Sequence, residues 1–371
     1  MEARKGRLGI MVTERMKSPP FADSNYYRKL CLLGARRGLL VYVFSPERIY
    51  WGSRTVIGYT YRSDISRWTK ALHPLPDLIY DRCFFSSKSG YLRYRTQVRR
   101  LLKFSRAKFL GHGLRGKWQV QDILCQDTAI RDYLPMTERY AGIPSLTRWL
   151  NQEGRIFLKP QGGSQGRGAL MIRAIDDDRI AFIVIGRDEH NEMFRFGFYH
   201  YRGLAAWLSR WIGQRNYVIQ SYLELTTEQG EPFDVRAFMM KNNTGRWQLI
   251  GTGVRKGSPG ALTSNLHGGG VAEDTLAFLQ AQYPDCADQL YDTISKLSLR
   301  IASVLEKNHG RLVELGIDFG IDKSGRLWVL EVNSKPGRSI FRRLGDKNAQ
   351  KSSIIGPIQY ARYLWDRQLG G

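Results

Sequence analysis

The chain has 371 residues, 42% of them hydrophobic and 25% charged, which is typical of a globular protein with more than one packed unit. No apolar run approaches the ~20 residues of a membrane helix, so we expect no membrane partner. The four cysteines are far apart and form no Cys-x-x-Cys pair, which excludes a disulfide framework and a cysteine zinc site as expectations.

The start of the chain combines a parallel-sheet pattern with a strong positive charge. Two β-rich runs, at 7–12 and 38–45, flank a segment with helical spacing at 25–38, which predicts a β-α-β unit. The apolar run before Thr13 has five residues, too short for a signal peptide, so we expect a cytoplasmic protein. A further strand is expected at 77–85.

The basic charge is concentrated in this first part. Residues 1–120 contain 25 Lys and Arg against 7 Asp and Glu, and 82–117 contain 11 basic residues and no acidic one. Such a field attracts polyanions, although solvated surface charge is an equally good interpretation. The segment 90–109 is predicted to be a helix, with Tyr91, Tyr94 and Phe104 on its core-facing side. We predict a basic N-terminal α/β domain over 1–115.

The middle of the chain contains a glycine-rich loop between two β-like runs. A helix is predicted at the start of 118–140, and "FLKPQGGSQGRG" places Lys159 directly before the glycines. Glycines let backbone N–H groups approach phosphate oxygens, and the β-like "ALMIRAI" that follows excludes a Rossmann or Walker loop. A flap over a nucleotide and a plain surface hairpin both remain open.

Two hairpins follow, one turned at "NNTG" and one at "DKSG". In the second, a turn at "DKSG" would pair Ile321 with Arg326 and Asp318 with Val329. Asp318, Val329, Glu331 and Asn333 would then share one face, because side chains alternate along a strand. Oxygen ligands of this kind suit Mg²⁺. A polar strand end is the competing interpretation.

A third polar group comes from the first of these hairpins and the loop after it. It consists of Asp234 and Arg236 in "FDVRAFMMK", Arg255 in "TGVRKG" and Asn265 in "TSNLHGGG". The arginines could neutralise a transferring phosphoryl group or bind a carboxylate. A structural salt bridge between Asp234 and a neighbour explains each residue equally well.

Taken in chain order, these motifs resemble the ATP-grasp superfamily, and in particular its YheC/YheD-type branch, named for endospore coat-associated proteins. The resemblance rests on "GKWQVQDILCQD…LPMT", "KPQGGSQGRG", "PFDVRAFMMK" and "LEVNSKPGR". It implies an α/β (α+β) ATP-grasp fold over 116–371, with lobe 1 at about 150–220 and lobe 2 at about 221–345, preceded by the small parallel-sheet domain.

The resemblance also implies roles for individual residues. The nucleotide would be bound by two lysines, a glycine lid and an inter-lobe hinge: Lys117, Lys159, Gly162, Gly163, Ser164, Gly166, Gly168, Gln220, Tyr222, Leu223 and Glu224. Two Mg²⁺ ions would be held by Asp318, Glu331 and Asn333. Arg255, Arg236 and Lys159 would be catalytic, and Asp234, Arg236 and Asn265 would lie on the substrate side.

The implied activity is an ATP-dependent carboxylate–amine ligase that works through an acyl phosphate. The basic front end favours an acidic peptide, protein or amino acid as substrate. Two alternatives stay open: a nucleic-acid-associated ligase that uses tRNA, and a spore-coat structural protein with a regulatory ATP site. A homo-oligomer is compatible with the resemblance, and in an endospore former the chain could be coat-associated.

Overall fold

The computed structural model describes residues 5–85, 87–163, 166–177, 179–262, 264 and 270–369. These residues form three sheets, each covered by helices, in a mixed α/β fold. None of the helices in these ranges has the length and apolarity needed to cross a membrane.

The first sheet has six strands in the order β4-β3-β2-β1-β5-β6. Strands β2, β1, β5 and β6 run parallel to one another, which confirms the predicted β-α-β unit, while β3 and β4 form an antiparallel hairpin beyond β2. The elements are β1 Gly6–Met11, α1 Ser24–Ala35, β2 Leu39–Tyr50, β3 Thr55–Arg62, β4 Arg67–Pro74, β5 Leu78–Asp81, α2 Lys88–Phe104 and β6 Lys108–Gly111.

Helix α2 carries the basic segment, and its buried side differs from the prediction. Tyr94, Val98 and Leu101 pack against the first sheet, whereas Tyr91 and Phe104 are 46% and 53% exposed. Residues 94, 98 and 101 follow the three- and four-residue spacing of one helix face, and 91 and 104 lie on its two flanks. The prediction that Tyr91 and Phe104 face the core is therefore wrong.

The second sheet also has six strands, in the order β11-β10-β9-β8-β12-β7, all antiparallel. Its core is formed by leucine, isoleucine and tryptophan side chains of the sheet and the two helices beside it. The elements are α3 Lys117–Leu124, α4 Thr128–Arg131, β7 Thr137–Arg139, α5 Ile143–Glu153, β8 Arg155–Pro160, β9 Leu170–Ala174, β10 Phe182–Arg187, β11 Met193–Phe198, α6 Tyr201–Ile212 and β12 Tyr217–Ser221.

The third sheet has five antiparallel strands in the order β15-β14-β13-β16-β17 and contains both predicted hairpins. The elements are β13 Phe233–Lys241, β14 Trp247–Lys256, β15 Val271–Glu273, α7 Thr275–Gln282, α8 Ala287–His309, β16 Glu314–Ile321, β17 Leu327–Asn333, α9 Ser339–Arg343 and α10 Lys347–Gln368.

The two faces of the third sheet differ in chemistry. On β13, Val235 and Ala237 face the main core beneath α8, whereas Phe238 on the opposite face packs against α9. Asp234 and Arg236 share that second face with Phe238, because side chains alternate along a strand. One face is therefore structural, and the other carries polar side chains next to an apolar patch.

The last helix, α10, returns to the first sheet. Ile358, Leu364 and Trp365 belong to the same core cluster as Leu8 and Ile10 of β1. The first sheet is thus completed by the most distant helix in the sequence. The predicted domain boundary at 115 and the lobe limits near 150, 220 and 345 remain predictions.

Candidate active site

A buried network of two carboxylates and two arginines spans strands β13, β14 and β16. The register places Arg236 opposite Asp318, and Asp234 opposite Arg255. Arg236 donates two hydrogen bonds to Asp318, one of 2.8 Å from Nη2 to Oδ2 and a second from Nε to Oδ1. Arg255 joins both acids, with Nε 2.6 Å from Asp234 Oδ1 and Nη2 3.0 Å from Asp318 Oδ2.

The charges in this network set one another's protonation. Burial opposes ionisation of Asp318, but Arg236 and Arg255 outweigh it and lower the pKa of its carboxyl. Burial raises the pKa of Asp234, with Arg255 acting against this change. Burial also opposes the charge on Arg255, yet both carboxylates hold its pKa above the ordinary value. The two acids and the two arginines therefore hold one another in position by direct contacts.

Glu331 lies directly opposite Asp318, which corrects the predicted register. Ile321 pairs with Leu327, and Phe319, not Asp318, pairs with Val329. A bulge between Asp318 and Phe319 then adds one residue to β17, so that Asp318 and Glu331 become cross-strand neighbours. Val329 belongs to the apolar core on the other face, and its predicted place beside the acids is wrong.

Two lysines from other elements converge on the end of β17. Lys117, at the start of α3, lies with Nζ 3.3 Å from Glu331 Oε1 and donates to the Gly163 carbonyl at 3.1 Å. Lys159, at the end of β8, donates to the Leu330 carbonyl at 3.1 Å. The second and third sheets therefore meet at Glu331.

The Lys159 ammonium is in an unusual environment. Burial lowers its pKa to about 8, nearby Glu331 opposes that shift, and Lys117 adds to it. A desolvated cation held next to a carboxylate is well suited to bind an anion that enters between the sheets. The group is thus prepared for a negatively charged ligand.

The glycine-rich loop links Lys159 to β9. Gly163, Gly166 and Gly168 have φ values of 103°, 72° and 75°, a region in which only glycine is unstrained. A side chain at Gly162 would meet nothing within 4 Å, so this part of the loop borders open space. Ser164 lies outside the described residues, and the lid role of the loop remains a prediction.

The predicted hinge joins β12 to β13 and has an ordinary set of structural contacts. Gln220 is buried and donates to Thr137 Oγ1 at 2.9 Å, and Arg155 lies 4.9 Å from the ring centroid of Tyr222. Glu224 pairs with Lys323 at 3.3 Å, and Leu223 is half-buried. The position between the second and third sheets agrees with a hinge, whereas adenine and ribose contacts stay predictions.

The two predicted asparagines have different outcomes. Asn333 lies opposite Gly316 at the end of β17, two residues beyond Glu331, and is half-buried. Asn265 lies outside the described residues. Its near neighbour Ser264 donates a hydrogen bond to Asp234 Oδ2, a contact that sequence reasoning missed because a serine in a loop has no distinguishing pattern.

A polar junction that the sequence did not reveal connects β17 to the first sheet. Lys335 lies 2.9 Å from Asp81 Oδ2 and donates to the Cys83 carbonyl at 2.8 Å. Tyr94 of α2 donates to the same Asp81 oxygen at 2.6 Å. The only sequence signal was the lysine in "SKPG" directly after Asn333, and its partner lies more than 250 residues away.

A second missed cluster lies beneath this junction. Glu314 is 1% exposed and accepts hydrogen bonds from Arg82 at 2.7 Å, from the Tyr80 hydroxyl at 2.8 Å and from Arg338. Tyr80 lies in strand β5 of the first sheet and Arg82 directly follows that strand, whereas Arg338 follows β17. One carboxylate therefore fixes the first sheet against the end of the strand that carries Glu331.

The side chains at the end of β17 offer oxygen donors of the kind that bind Mg²⁺. Within the described ranges, no three Asp, Glu, His or Cys side chains converge closely enough to hold a metal. Two carboxylates and an amide oxygen remain, all of them hard ligands that suit Mg²⁺ when substrate phosphates complete the shell. Asp318 already accepts three bonds from arginines, whereas the described ion pair of Glu331 uses Oε1 alone. The residues fit, with Glu331 and Asn333 as the more available ligands.

Comparison with known proteins identifies the family. A family model described as "YheC/D like ATP-grasp" matches residues 106–364, well over half of the chain. The chain belongs to the YheC/D-like ATP-grasp family. Among the relatives of this YheC/D-like protein are two from Bacillus subtilis (strain 168), both named as endospore coat-associated. YheC is 29% identical over 97% of this chain and 96% of its own length, and YheD is 27% identical over 94% and 76%.

A solved structure supports the ATP-grasp fold of this YheC/D-like protein. D-alanyl-alanine synthetase A from Vibrio cholerae O1 biovar eltor has a TM-score of 0.54 and 12% identity. The similarity covers 98% of this chain and 100% of that one. The predicted family and fold are confirmed.

Proposed function

We propose that the chain is an ATP- and Mg²⁺-dependent carboxylate–amine ligase that forms an amide or peptide bond and releases ADP. The observation that carries the proposal is the convergence of Lys117 and Lys159 on Glu331, at the meeting point of the second and third sheets. Membership of the ATP-grasp family supports the same activity. Asp318, Glu331 and Asn333 would hold the metal, two ions being the proposed number. Bound Mg²⁺ would supply charge neutralisation on the phosphates.

The lysines and arginines have separable tasks in this proposal. Lys117 and Lys159 would bind the phosphates of ATP, and their present partners, the Gly163 and Leu330 carbonyls, keep both ammonium groups near the loop. Arg255 would stabilise the transferred phosphoryl group, and Arg236 would orient the acceptor. Their bonds to Asp234 and Asp318 support this by holding both guanidinium planes rigid before substrate arrives.

The reaction would proceed in two balanced steps. An oxygen of the substrate carboxylate attacks the γ-phosphorus, the bond from that phosphorus to the bridging oxygen breaks, and ADP leaves. An amine nitrogen then attacks the acyl carbon, phosphate departs with the former carboxylate oxygen, and the nitrogen loses a proton. The loop 162–168 would exclude water while the acyl phosphate exists, because hydrolysis would waste the ATP.

The proposed substrate is an acidic amino acid joined to an acidic peptide or protein. The excess of basic residues in the first 120 positions supports this choice. The decisive experiment incubates the protein with ATP, Mg²⁺, the amino acids and oligoglutamate or oligoaspartate peptides. Mass spectrometry should show one peptide gaining the mass of an amino acid minus water as ADP accumulates. No gain with any acceptor, alongside intact ATP, would refute a ligase.

Replacement of Lys159 should weaken nucleotide binding. In Lys159→Met we expect the Kd for a non-hydrolysable ATP analogue to rise by about 10- to 100-fold, since a hydrogen bond to a charged group contributes about 1.5–3 kcal/mol. Isothermal titration calorimetry measures the change, and Lys307→Met, an exposed residue of α8, is the control. An unchanged Kd would mean that Lys159 only supports the Leu330 carbonyl.

Salt should weaken acceptor use. The Debye length falls from about 10 Å at 0.1 M to about 3 Å at 1 M salt, so attraction to a basic surface is screened. We expect the KM for an acidic peptide to rise steeply between low and high ionic strength, with a much smaller rise in the KM for the amine. Steady-state ADP release measures both, and a KM for the peptide that stays flat would contradict an acidic acceptor.

A second function is favoured by the names of the B. subtilis relatives, both endospore coat-associated. In this alternative the protein would bind ATP to regulate coat assembly and would catalyse no reaction. In an endospore former, either function would be compatible with a place at the coat. Nucleotide binding without ADP formation would favour the structural role.

A further inference from the structure

Helix α2 presents an outward face that mixes basic and apolar side chains. Tyr94, Val98 and Leu101 occupy its inward side. The outward face carries, in chain order, Tyr91, Leu92, Arg95, Arg99, Leu102 and Lys103. Leu92 and Leu102 are 47% and 53% exposed, although burial of a leucine is favourable by about 1.5–3 kcal/mol. We call these six residues the α2 face.

The α2 face has no charge partner of its own. The helix contains no Asp or Glu, and no described carboxylate lies within ion-pair distance of Arg95, Arg99 or Lys103. Glu47 pairs with Arg93 on the flank of the helix at 3.2 Å, and Asp81 is occupied by Lys335 and Tyr94 beneath it. The face is therefore a positive surface with exposed apolar side chains between its charges.

The N-terminal half of α2 is linked through Asp81 to Lys335, close in sequence to the candidate active site. Tyr94 and Lys335 share the Asp81 carboxylate, and Lys335 follows Asn333 by two residues. Lys335 Nζ lies 5.9 Å from the Tyr94 ring centroid. Tyr91 contacts Tyr94, with ring centroids 6.1 Å apart. The Tyr94 ring therefore lies between Tyr91 of the α2 face and Lys335, which follows the end of β17. A ligand on this face would lead into the site.

The spacing of the charges matches an extended polypeptide. Arg95, Arg99 and Lys103 recur every four residues, which separates them by about 6 Å along the helix axis. Alternate side chains of an extended chain are about 6.6 Å apart. Every second residue of an extended acidic segment would therefore meet one basic side chain, and the backbone and Cβ atoms of that segment would lie over Leu92 and Leu102.

Two observations favour a polypeptide over a nucleic acid. The faces of the exposed aromatic rings are already in use: Tyr91 stacks on Tyr94 and has Arg95 over its ring, and Phe104 has Lys103 over its ring at 5.1 Å. Base stacking would have to displace these contacts. A polypeptide also brings a free carboxylate to the site, which a nucleic acid lacks.

We infer that the α2 face is the docking surface for an acidic polypeptide, the acceptor whose carboxylate the ligase activates. The inference rests on the proposed function for the word acceptor and for the carboxylate that favours a polypeptide, whereas docking itself needs neither ATP nor turnover. The face adds affinity along about 18 Å of helix and directs the bound segment towards Lys335.

The test measures binding without nucleotide. A fluorescein-labelled ten-residue oligoglutamate is titrated with the protein at low salt, and fluorescence anisotropy gives the Kd. The test variant is Arg95→Glu/Arg99→Glu/Lys103→Glu. The control is Arg173→Glu/Arg195→Glu/Arg210→Glu, three exposed arginines of the second sheet and its helix α6, which changes the net charge by the same amount. A milder variant, with glutamine at 95, 99 and 103, guards against misfolding and keeps good helix formers.

We expect the glutamate test variant to raise the Kd by about 10- to 100-fold, since three attractive charge contacts with the peptide are replaced by repulsive ones. The glutamine variant should show a smaller rise in the same direction, and the control less than a threefold change. An equal rise of the Kd in the test and control variants would mean that the peptide responds to the overall positive charge of the protein. That result would overturn the inference. Tighter binding of a ten-nucleotide oligouridylate than of the peptide, lost in the same variant, would overturn it in favour of RNA.

Turnover separates this inference from the proposed function. If ADP forms with the peptide, the test variant should raise the KM for the peptide and leave kcat nearly unchanged, which supports docking remote from the reacting atoms. If no acceptor yields ADP but the peptide still binds through the α2 face, the docking surface stands and the ligase proposal fails.

Discussion

Glu331→Gln should lower the rate of Mg²⁺-dependent ADP formation by a factor on the order of 10²–10³, the usual loss when one fixed group that stabilises the transition state is removed. The amide keeps the size of the side chain but removes the negative charge that lies between Lys117 and Asp318. A coupled assay for ADP measures the rate. Titration of Mg²⁺ against a fluorescent ATP analogue gives an independent readout, and the Mg²⁺-induced tightening should disappear.

Glu228→Gln is the matched control, because Glu228 is an exposed glutamate in the loop before β13. It should retain the full rate and the full response to Mg²⁺. The Glu331 variant should keep its fold, as its ion pair with Lys117 is partly exposed and contributes little to stability. Wild-type ADP formation in Glu331→Gln would show that Glu331 does not bind the catalytic metal. The proposed roles of Lys117 and Lys159 beside it would then lose their support.

Glu314→Gln should destabilise the protein by about 3–5 kcal/mol, the cost of breaking a buried ion pair by removing one partner. Glu314 is almost fully buried, and its charge compensates two arginines, Arg82 and Arg338. The glutamine would leave both guanidinium groups with an uncompensated charge between the first sheet and the end of β17. Urea unfolding followed by tryptophan fluorescence measures the loss.

An exposed pair provides the comparison. Asp292→Asn removes the partner of Lys296 on the surface of α8, where both side chains are largely in solvent, and should shift the urea midpoint hardly at all. Arg82→Met and Arg338→Met combined with Glu314→Leu replaces all three charges by apolar groups and should recover part of the loss. A Glu314→Gln protein as stable as the parent would show that water reaches this cluster.

The sequence alone was enough for the elements with clear periodicity. The pattern over 7–12, 25–38 and 38–45 predicted a β-α-β unit, and the structure forms it from β1, α1 and β2 with the two strands parallel. The bulge beside Asp318 could not be predicted from the sequence. A bulge arises from how two strands pair, and neither strand carried a residue pattern that indicated it. The predicted position of Val329 failed for that reason.

Long-range and exposed features were equally hard to foresee. Strand β4 is mostly exposed and most of β3 is only partly buried, so the hairpin lacks the apolar stripe by which strands are recognised. Lys335 meets Asp81 only after the chain has passed through two further sheets. Tyr91 and Phe104 were assigned to the core because they are aromatic, yet the helix phase is set by Val98 and Leu101. Strand alternation joined Asp318, Glu331 and Asn333, whereas only the family pattern joined Lys117 to them, because no local spacing links residues so far apart in sequence.

The return of α10 to the first sheet has a consequence for synthesis of the protein. Trp365 and Leu364 fill the core beside Leu8 and Ile10, so strand β1 lacks these packing partners until α10 has emerged from the ribosome. The side of this core that α10 covers therefore stays open while more than 300 residues are translated after β1. A nascent chain of this protein should therefore depend on chaperone binding at its amino-terminal strands.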